Sequence, residues 1–285
     1  MISNLLRGFL IGTAEVIPGV SGGTVALIVG VYERIIASAA TLVTAVVNLI
    51  RGKYKESKAS AKQVDWALLF PLLAGMLVAI FVAAALLEPL LESQPENMRA
   101  LFAGLILVSL VVPYRMVAAS WKAVDYVLGL SAAAVSFVLA SLPQQEVSEP
   151  NLVMVFLVAS IAVCALVLPG VSGSFLLLAL GFYAPTIAAV NSFDITYLGV
   201  FVLGAIVGLA LFATALRWLL VNVRKVTLVI MTGLMFGSLR AIWPWQNQSG
   251  GIAEPDSPAP VTFFILGALA IGLLLWLQAR ATKAQ

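Results

Sequence analysis

The sequence contains no histidine and a single cysteine, Cys164, among its 285 residues. Without histidine there is no imidazole to carry a phosphoryl group, act as a general base or bind a metal, and one cysteine cannot build a thiolate cluster. The single cysteine also excludes an intrachain disulfide, and its apolar surroundings are typical of a small buried side chain. These absences disfavour a metalloenzyme and a histidine-dependent phosphotransferase. We expect a protein that is not an enzyme and that uses no metal and no cofactor.

Charged residues are scarce as well. They make up 10% of the chain, hydrophobic residues make up 62%, and the mean hydropathy is +1.07, whereas soluble globular domains are about 45–50% apolar. This composition predicts an all-α integral membrane protein. The first five residues contain no basic segment and no cleavage site, so no removable signal peptide is predicted. The net charge of +3 then reports membrane orientation and gives no reason to expect a nucleic-acid partner.

One seven-residue motif occurs twice in this apolar sequence. The first motif covers residues 18–24 and the second motif covers residues 169–175. The two copies are Pro18-Gly19-Val20-Ser21-Gly22-Gly23-Thr24 and Pro169-Gly170-Val171-Ser172-Gly173-Ser174-Phe175. In each, a proline and two or three glycines interrupt a stretch that otherwise reads as helix, and in lipid such a break is tolerated only where protein buries it or a polar cavity receives it. We therefore predict that the two motifs form the working site.

The second half of the chain repeats further features of the first. The motifs are 151 residues apart (169 − 18), and beyond residue 65 the offset falls to 129 (194 − 65), because the first half carries an insertion of 22 residues (151 − 129). Equivalent pairs at these offsets include Gly30 and Gly181, Tyr32 and Tyr183, and Gly75 and Gly204. The chain is thus predicted to be an internal duplication, with a first repeat at residues 1–143 and a second at residues 144–285.

Lysine and arginine counts predict which loops face the cytoplasm. Four segments are basic, namely 51–65, 115–122, 217–225 and 280–285, and the loops between them are acidic. Six apolar stretches are predicted to span the membrane: 66–87, 99–114, 123–142, 197–216, 227–242 and 262–279. If the basic loops are cytoplasmic, residues 4–50 and residues 151–190 must each enter the membrane and return to the side from which they entered. Each half is then one re-entrant helical hairpin plus three transmembrane helices, which makes an inverted repeat with both termini in the cytoplasm.

The residue types of the motifs suit an anion. The helix that restarts after each break is predicted to begin near Thr24 or Phe175, and its first N–H groups have no partner within the helix. The helix dipole adds positive charge there, glycine lets a ligand approach the backbone, and a serine hydroxyl can cap the helix or donate to an anion. We assign phosphate binding to Gly19, Ser21, Gly22, Gly23, Thr24, Gly170, Ser172, Gly173 and Ser174. The alternative is a packing device, in which small residues only let helices approach.

Three charged residues near the first motif are candidates for coupling or gating. Glu15 lies three residues before Pro18, and an ionisable side chain in an apolar run is costly unless it has a role, such as proton coupling or the orientation of a basic partner. The alternative for Glu15 is a hydrogen-bonded structural carboxyl. Glu33 and Arg34 follow the first motif, where they would act as a gate or form a solvated pair at the membrane interface.

Three other charged residues receive more specific roles. Arg240 is predicted to be a first contact for phosphate from the outer leaflet, with snorkelling towards lipid headgroups as the alternative. Asp65 and Asp194 are predicted to cap the helices that follow them.

Three segments of the chain carry a family resemblance. They are residues 15–24, residues 168–175, and Gly237-Ser238-Leu239-Arg240 with Trp243-Pro244-Trp245. Together they resemble the PopT-type polyprenyl-phosphate transporter family, formerly a domain-of-unknown-function family. The resemblance implies that the chain returns undecaprenyl phosphate, the lipid carrier of cell-wall precursors, from the outer to the inner leaflet of the bacterial cytoplasmic membrane. Because Leu166 stands at the position equivalent to Glu15, the two motifs are not expected to be chemically equivalent.

The motifs and the resemblance together predict a transporter whose partners are a polyprenyl-phosphate lipid and the surrounding membrane lipids. Protons are a candidate coupling ion, and the chain is compatible with a homo-oligomer. Three alternatives stay open. A channel or secondary transporter for a small anion would use the same motifs. A membrane phosphatase is disfavoured by the missing histidine and metal ligands, and a scaffold gives no reason for two buried breaks.

Overall fold

The computed structural model describes residues 1–16, 20–117, 119–142, 147, 150–247, 251–255 and 257–283. Within these residues the chain is helical, and its one β-bridge joins Gln246 and Ile252. The helices are α1 Ile2–Val16, α2 Gly22–Ile28, α3 Tyr32–Ile50, α4 Tyr54–Gln63, α5 Trp66–Ser93, α6 Pro95–Ser109, α7 Val111–Met116, α8 Ala123–Leu139, α9 Leu152–Val167, α10 Gly173–Ala179, α11 Tyr183–Ser192, α12 Ile195–Asn222, α13 Arg224–Ser238 and α14 Ala259–Lys283. The predicted all-helical class is confirmed.

Four segments of the described residues are long and apolar enough to cross a membrane. They are Tyr32–Ile50, Pro95–Met116, Ile195–Asn222 and Ala259–Trp276. The number rises to six if each of two bent helix pairs is one span; α4 meets α5 at a 66° bend, and α10 meets α11 at 105°. Each of the six predicted spans overlaps a helix, but 123–142 and 227–242 extend past the ends of α8 and α13, which have 17 and 15 residues, fewer than the ~20 that a straight span needs. Tyr32–Ile50, by contrast, lies within the predicted hairpin 4–50. The re-entrant hairpins and the opposite orientation of the halves stay predictions.

The basic segment 51–65 was predicted to be a loop, and this was wrong for most of its length. It contains α4, whose ten residues Tyr54–Gln63 include none that is buried. Lysine, glutamate and alanine are good helix formers, so a short exposed helix can form here without an apolar face.

The helices assemble into two compact units. The first unit consists of Met1–Phe81 and Gln144–Thr227, and the second consists of Val82–Pro143 and Leu228–Gln285. Each unit therefore combines a segment of both predicted repeats. A sequence repeat need not fold by itself, so these units do not contradict the predicted duplication. The repeat boundary at residues 143 and 144 lies outside the described residues and stays a prediction.

Close helix packing in the first unit depends on glycine. Gly75 of α5 lies against the Leu5 carbonyl of α1, and Gly204 of α12 lies against the Phe156 carbonyl of α9, so a Cβ at either glycine would overlap backbone. Small residues allow such close approach between helices in lipid. Gly75 and Gly204 are equivalent at the offset of 129 (204 − 75), and Leu5 and Phe156 are equivalent at 151 (156 − 5). The same helix contact thus recurs in both predicted repeats.

The two short helices that follow the motifs, α2 and α10, also end in the same way. Gly30 and Gly181 have left-handed φ angles of 74° and 80°, which residues with a Cβ rarely adopt. The residue after each glycine donates to the carbonyl five positions earlier, Val31 N–H to Ala26 O at 3.0 Å and Phe182 N–H to Leu177 O at 2.8 Å. This is the Schellman pattern of helix ends. The predicted equivalence of Gly30 and Gly181 therefore extends to backbone geometry.

The second unit pairs helices from different predicted repeats. Gly104 of α6 lies against the Phe264 carbonyl of α14, and Gly233 of α13 lies against the Gly129 carbonyl of α8. In both pairs a Cβ on the first glycine would overlap the facing carbonyl. The two predicted repeats are thus interleaved within this unit.

Candidate functional site

The second motif breaks the helix as predicted. Helix α9 ends at Val167, and the backbone of the N-cap residue Ser172 is extended before α10 begins at Gly173. Gly170 has a φ of 83°, a left-handed conformation that explains why glycine stands at this position. The new helix starts two residues before Phe175, near which the sequence predicted it.

The first motif has the same local geometry where the structure describes it. Pro18 and Gly19 lie outside the described residues. Ser21 is extended, with φ −107° and ψ 125°, and α2 begins at Gly22, two residues before the predicted start near Thr24. Ser21 and Thr24 are buried, with exposures of 3% and 1%. Both motifs therefore place a buried or partly buried polar residue directly before or within a new helix.

The two motifs contact each other within the first unit. The Gly170 N–H donates to Thr24 Oγ1 at 3.0 Å, and the Ser21 hydroxyl donates at 3.1 Å to the carbonyl of Leu168, the residue just before the second motif. A Cβ on Gly23 would come within 2.6 Å of the Val167 carbonyl oxygen. The described residues of the two motifs are therefore in contact, while a shared anion site and an approach from opposite faces of the membrane stay predictions.

Tyr32 is a third contributor that the sequence identified only as the equivalent of Tyr183. Its hydroxyl donates to the Val167 carbonyl at 3.1 Å, and the residue is 3% exposed. A buried tyrosine hydroxyl usually has a partner. The available signal was a tyrosine two residues after Gly30, at the end of an apolar run and directly before the charged Glu33. Tyr32 connects the start of α3 to the end of α9.

Glu15 makes the first motif chemically different from the second. Its Oε1 accepts a hydrogen bond from the Gly22 N–H at 3.0 Å. The first amide of α2 is therefore bonded to a carboxylate of the chain itself. At the equivalent position Leu166 packs beside Gly173, where a Cβ would lie 3.2 Å from Leu166 Cβ. Only the first motif combines a helix start with an ionisable side chain.

The second motif carries a pair of serine hydroxyls. Ser172 Oγ and Ser174 Oγ are 3.0 Å apart, and either can donate. Ser172 Oγ also accepts from the Phe175 N–H at 3.4 Å, which makes Ser172 a helix cap. Both serines are partly exposed. Whichever hydroxyl donates within the pair, the other keeps a hydrogen outside that bond, so this motif can offer an O–H donor to an anion.

Ser21 and Ser172 were assigned the same role from the sequence, and the structure gives them different bonds. The Ser21 hydroxyl donates to the Leu168 carbonyl and makes no cap bond. Ser21 therefore holds the second motif in place, whereas Ser172 caps a helix beside a second hydroxyl.

Glu33 and Arg34 do not pair with each other. Glu33 Oε1 lies 2.7 Å from Arg224 Nη2, and Arg34 Nη2 lies 2.5 Å from Asp65 Oδ2. The hydrogen bond that Arg224 donates to Glu33 raises the pKa of Arg224. Both pairs are partly exposed and both involve the first turn of α3, next to Tyr32. The start of α3 is thus tied to the starts of α13 and α5.

Three further charged residues were given roles from the sequence. Asp65 and Asp194 are helix caps in the first unit, and Arg240 lies in the second unit. Asp65 accepts from the Leu68 N–H at 3.1 Å, and Asp194 accepts from two amides at 3.0 Å, so both predicted caps are confirmed. Arg240 is 8% exposed and belongs to the second unit. Its contact with phosphate stays a prediction. Among the described residues, no three Cys, Asp or Glu side chains are grouped to hold a metal ion.

Comparison with known proteins supplies the family. Residues 11–258 match a family described as VCA0040-like, undecaprenyl phosphate translocase-like. A Vibrio cholerae protein named polyprenyl-phosphate transporter is 36% identical over 246 residues, which are 86% of this chain and 79% of that protein. A Staphylococcus aureus protein of the same name is 27% identical over 259 residues, 85% of this chain and 86% of that protein. No solved structure matches the chain. Because the family match includes both motifs and most of the sequence, the chain belongs to the undecaprenyl phosphate translocase-like family.

Proposed function

We propose that this chain moves undecaprenyl phosphate, or a closely related polyprenyl phosphate, from the outer to the inner leaflet of the bacterial cytoplasmic membrane. The returned lipid would serve again as a carrier in cell-envelope synthesis. The observation that carries the proposal is the direct contact of the two broken motifs through Gly170 and Thr24, supported by the bond from Ser21 to Leu168 just before the second motif. The names of the Vibrio and Staphylococcus relatives support the substrate class.

A phosphate needs a polar path through the membrane. Transfer of an ionised group into hydrocarbon is very costly unless fixed polar groups replace its water. The second motif supplies such groups, since the hydroxyls of Ser172 and Ser174 lie 3.0 Å apart on partly exposed residues. In this mechanism the phosphate binds at the joined motifs while the isoprenoid chain stays in lipid. Ser21 and Thr24 position the second motif.

Glu15 is the proposed coupling residue. Its carboxylate already occupies the Gly22 N–H, so an ionised Glu15 would repel a phosphate that approached the start of α2. A proton on Glu15 removes that charge. Uptake of a proton together with the headgroup would therefore couple transport to a pH gradient, in keeping with the cost of a lone charge in the membrane.

The two ion pairs at the start of α3 are the proposed inner gate. Glu33 with Arg224 and Arg34 with Asp65 lie beside the segments whose basic residues predict a cytoplasmic location. Tyr32, which precedes Glu33, touches the Val167 carbonyl next to the second motif. Opening the pairs would allow the first turn of α3 to move away from the motifs. Arg240 is proposed as the first contact of the phosphate on the outer side.

The experiment that tests this function compares a lipid anion with a soluble one. The purified protein in liposomes should accelerate leaflet exchange of a fluorescent polyprenyl phosphate and should leave uptake of inorganic phosphate at the protein-free rate. Uptake of soluble phosphate without movement of the lipid would support a small-anion transporter instead. Release of inorganic phosphate from the lipid would indicate a phosphatase.

A further inference from the structure

A groove in the second unit is walled by aromatic rings and contains almost no polar surface. It lies between α7, α8 and α13, and its volume is about 360 Å³, within the ~300–1,000 Å³ typical of small-molecule sites. Its walls include Tyr114, Trp121, Tyr126, Leu130 and Phe236. We refer to it as the aromatic groove.

Glycine and stacked rings give the aromatic groove its shape. Gly233 lies against the Gly129 carbonyl, where a Cβ would overlap it, so two backbones form part of the lining. Tyr114 and Trp121 stack with ring centroids 4.8 Å apart, and Trp121 and Tyr126 follow at 5.3 Å. Leu130 and Phe236 are 64% and 52% exposed. In a membrane, such exposed apolar side chains open the groove to lipid.

The aromatic end of the groove lies beside two cations along the chain. Arg115 follows Tyr114 at the end of α7, Lys122 follows Trp121 just before α8, and both side chains are exposed. The Trp121 Nε1–H is enclosed, and within the described part of the chain it has no hydrogen-bond acceptor. By contrast, the Thr232 hydroxyl of the lining donates to the Leu228 carbonyl at 2.7 Å and is satisfied. An apolar groove with two exposed cations next to its aromatic end along the chain complements an anionic amphiphile.

We propose that the aromatic groove binds the first isoprene units of an isoprenyl phosphate, with the exposed side chains of Arg115 and Lys122 holding the phosphate. The identity of this ligand as the transported lipid rests on the proposed function. Flat ring faces pack well against the planar double bonds and methyl groups of an isoprenoid, whereas a saturated chain gains less from them. Since segment 115–122 is predicted to face the cytoplasm, the groove would receive the lipid at the inner leaflet.

The test uses photo-crosslinking to the full chain in liposomes of zwitterionic lipid. The probe is farnesyl phosphate with a benzophenone on its chain, and the comparison probes are benzophenone-tagged dodecyl phosphate and farnesol. We expect farnesyl phosphate to label α8 and α13 at the groove, about tenfold more than either comparison probe. Equal labelling by dodecyl phosphate, or farnesyl labelling elsewhere in the chain, would overturn the proposal.

Matched variants separate the groove from the rest of the surface. Leu130→Trp narrows the groove and should lower farnesyl phosphate labelling about tenfold. Val127 on the same helix is equally exposed, at 64%, and is not part of the lining. The control variant Val127→Trp should therefore be labelled by farnesyl phosphate as strongly as wild type. Arg115→Gln combined with Lys122→Gln should reduce labelling by farnesyl phosphate towards that by farnesol. Unchanged labelling in Leu130→Trp, with its unfolding temperature preserved, would overturn the site.

A transport assay on the same liposomes keeps this inference distinct from the proposed function. Transport by the wild-type protein without labelling of the groove would contradict the proposed binding site and leave the proposed transport function unaffected. Groove labelling without any wild-type transport would support an isoprenyl-phosphate site and contradict the transport function.

Discussion

Thr24 joins the two motifs through one buried hydrogen bond. It is 1% exposed, and its Oγ1 accepts the Gly170 N–H at 3.0 Å. Thr24→Val keeps the shape of the side chain and leaves that amide unpaired, which should cost about 1–3 kcal/mol of stability and slow lipid-phosphate transport. Unfolding temperature and transport rate measure both effects.

The control for Thr24→Val is Thr214→Val. The Thr214 hydroxyl is exposed and donates to Ala210 in its own helix, so its loss should change stability by no more than about 0.5 kcal/mol. If the two variants unfold at the same temperature, the bond between Thr24 and Gly170 does not stabilise the contact of the motifs.

Glu15 can be changed without removing its hydrogen bond. In Glu15→Gln the amide oxygen still accepts the Gly22 N–H, and only the charge is lost. We expect transport in the absence of a gradient to persist and the stimulation by a pH gradient to disappear, since no proton can be exchanged at residue 15. Leaflet exchange in proteoliposomes with and without a gradient measures this. A gradient response like that of wild type would contradict the coupling role.

The sequence identified Glu15, Ser21 and Ser172 because a carboxylate and two repeated breaks stand out in apolar sequence. It could not distinguish the serines, since the acceptor of the Ser21 hydroxyl, Leu168, lies 147 residues away. Tyr32 was missed for the same reason. Its partner is the backbone carbonyl of Val167 at the end of α9, and no sequence pattern indicates which carbonyl at a helix end will accept a hydrogen bond from a distant side chain.

Among the elements, the start of α3 carries the two ion pairs that we propose as the inner gate. The pair of Glu33 and Arg224 is partly exposed, and exposed pairs contribute about 0–1 kcal/mol. Arg224→Glu should therefore leave the unfolding temperature nearly unchanged. As a gate residue it should still lower transport about tenfold, equivalent to ~1.4 kcal/mol in the barrier.

The reversed pair provides the decisive control. Glu33→Arg combined with Arg224→Glu restores attraction and should recover most of the transport. Lys53→Glu breaks another exposed pair, Lys53 with Glu56 at 3.2 Å, and should transport like wild type. A double variant as slow as Arg224→Glu alone would show that the charge pairing itself does not gate transport.

Helices were predictable where apolar runs are bounded by polar loops, and less so elsewhere. Residues 4–50 read as one hairpin, whereas the structure divides them into α1, α2 and α3. Hydropathy cannot separate them because all three are apolar. The division is made by the first motif and by the Gly30 turn, whose Schellman bonds are local and therefore recognisable.

At the scale of the whole molecule, the predicted inverted topology can be tested with single cysteines. Cys164→Ser provides a background without thiols. In that background, Lys55→Cys and Lys225→Cys should react with a membrane-impermeant reagent only after the cells are opened, and Glu96→Cys and Glu254→Cys should react on intact cells. Labelling of all four from one side would contradict the alternation of basic and acidic loops.

The interleaving of the two repeats could not be read from the sequence. Offsets correctly paired Gly75 with Gly204 and Gly30 with Gly181, since glycines that permit close approach or left-handed backbone leave a signature. The sequence contains no comparable signature of which helix packs on which, because α6, α8, α13 and α14 are all apolar and any of them could pack on another. The contact of α6 with α14 and of α8 with α13 is therefore information that only the structure supplies.

The joined motifs are proposed to carry the phosphate of a polyprenyl lipid across the membrane. The most direct test of this proposal is leaflet-resolved movement of undecaprenyl phosphate in proteoliposomes containing wild type, Ser172→Leu or Ser131→Leu. Ser131 is exposed on α8, and its hydroxyl donates to Val127 in the same helix. We predict that wild type and Ser131→Leu accelerate movement, and that folded Ser172→Leu falls to the protein-free rate. Movement in Ser172→Leu at the wild-type rate would contradict the account.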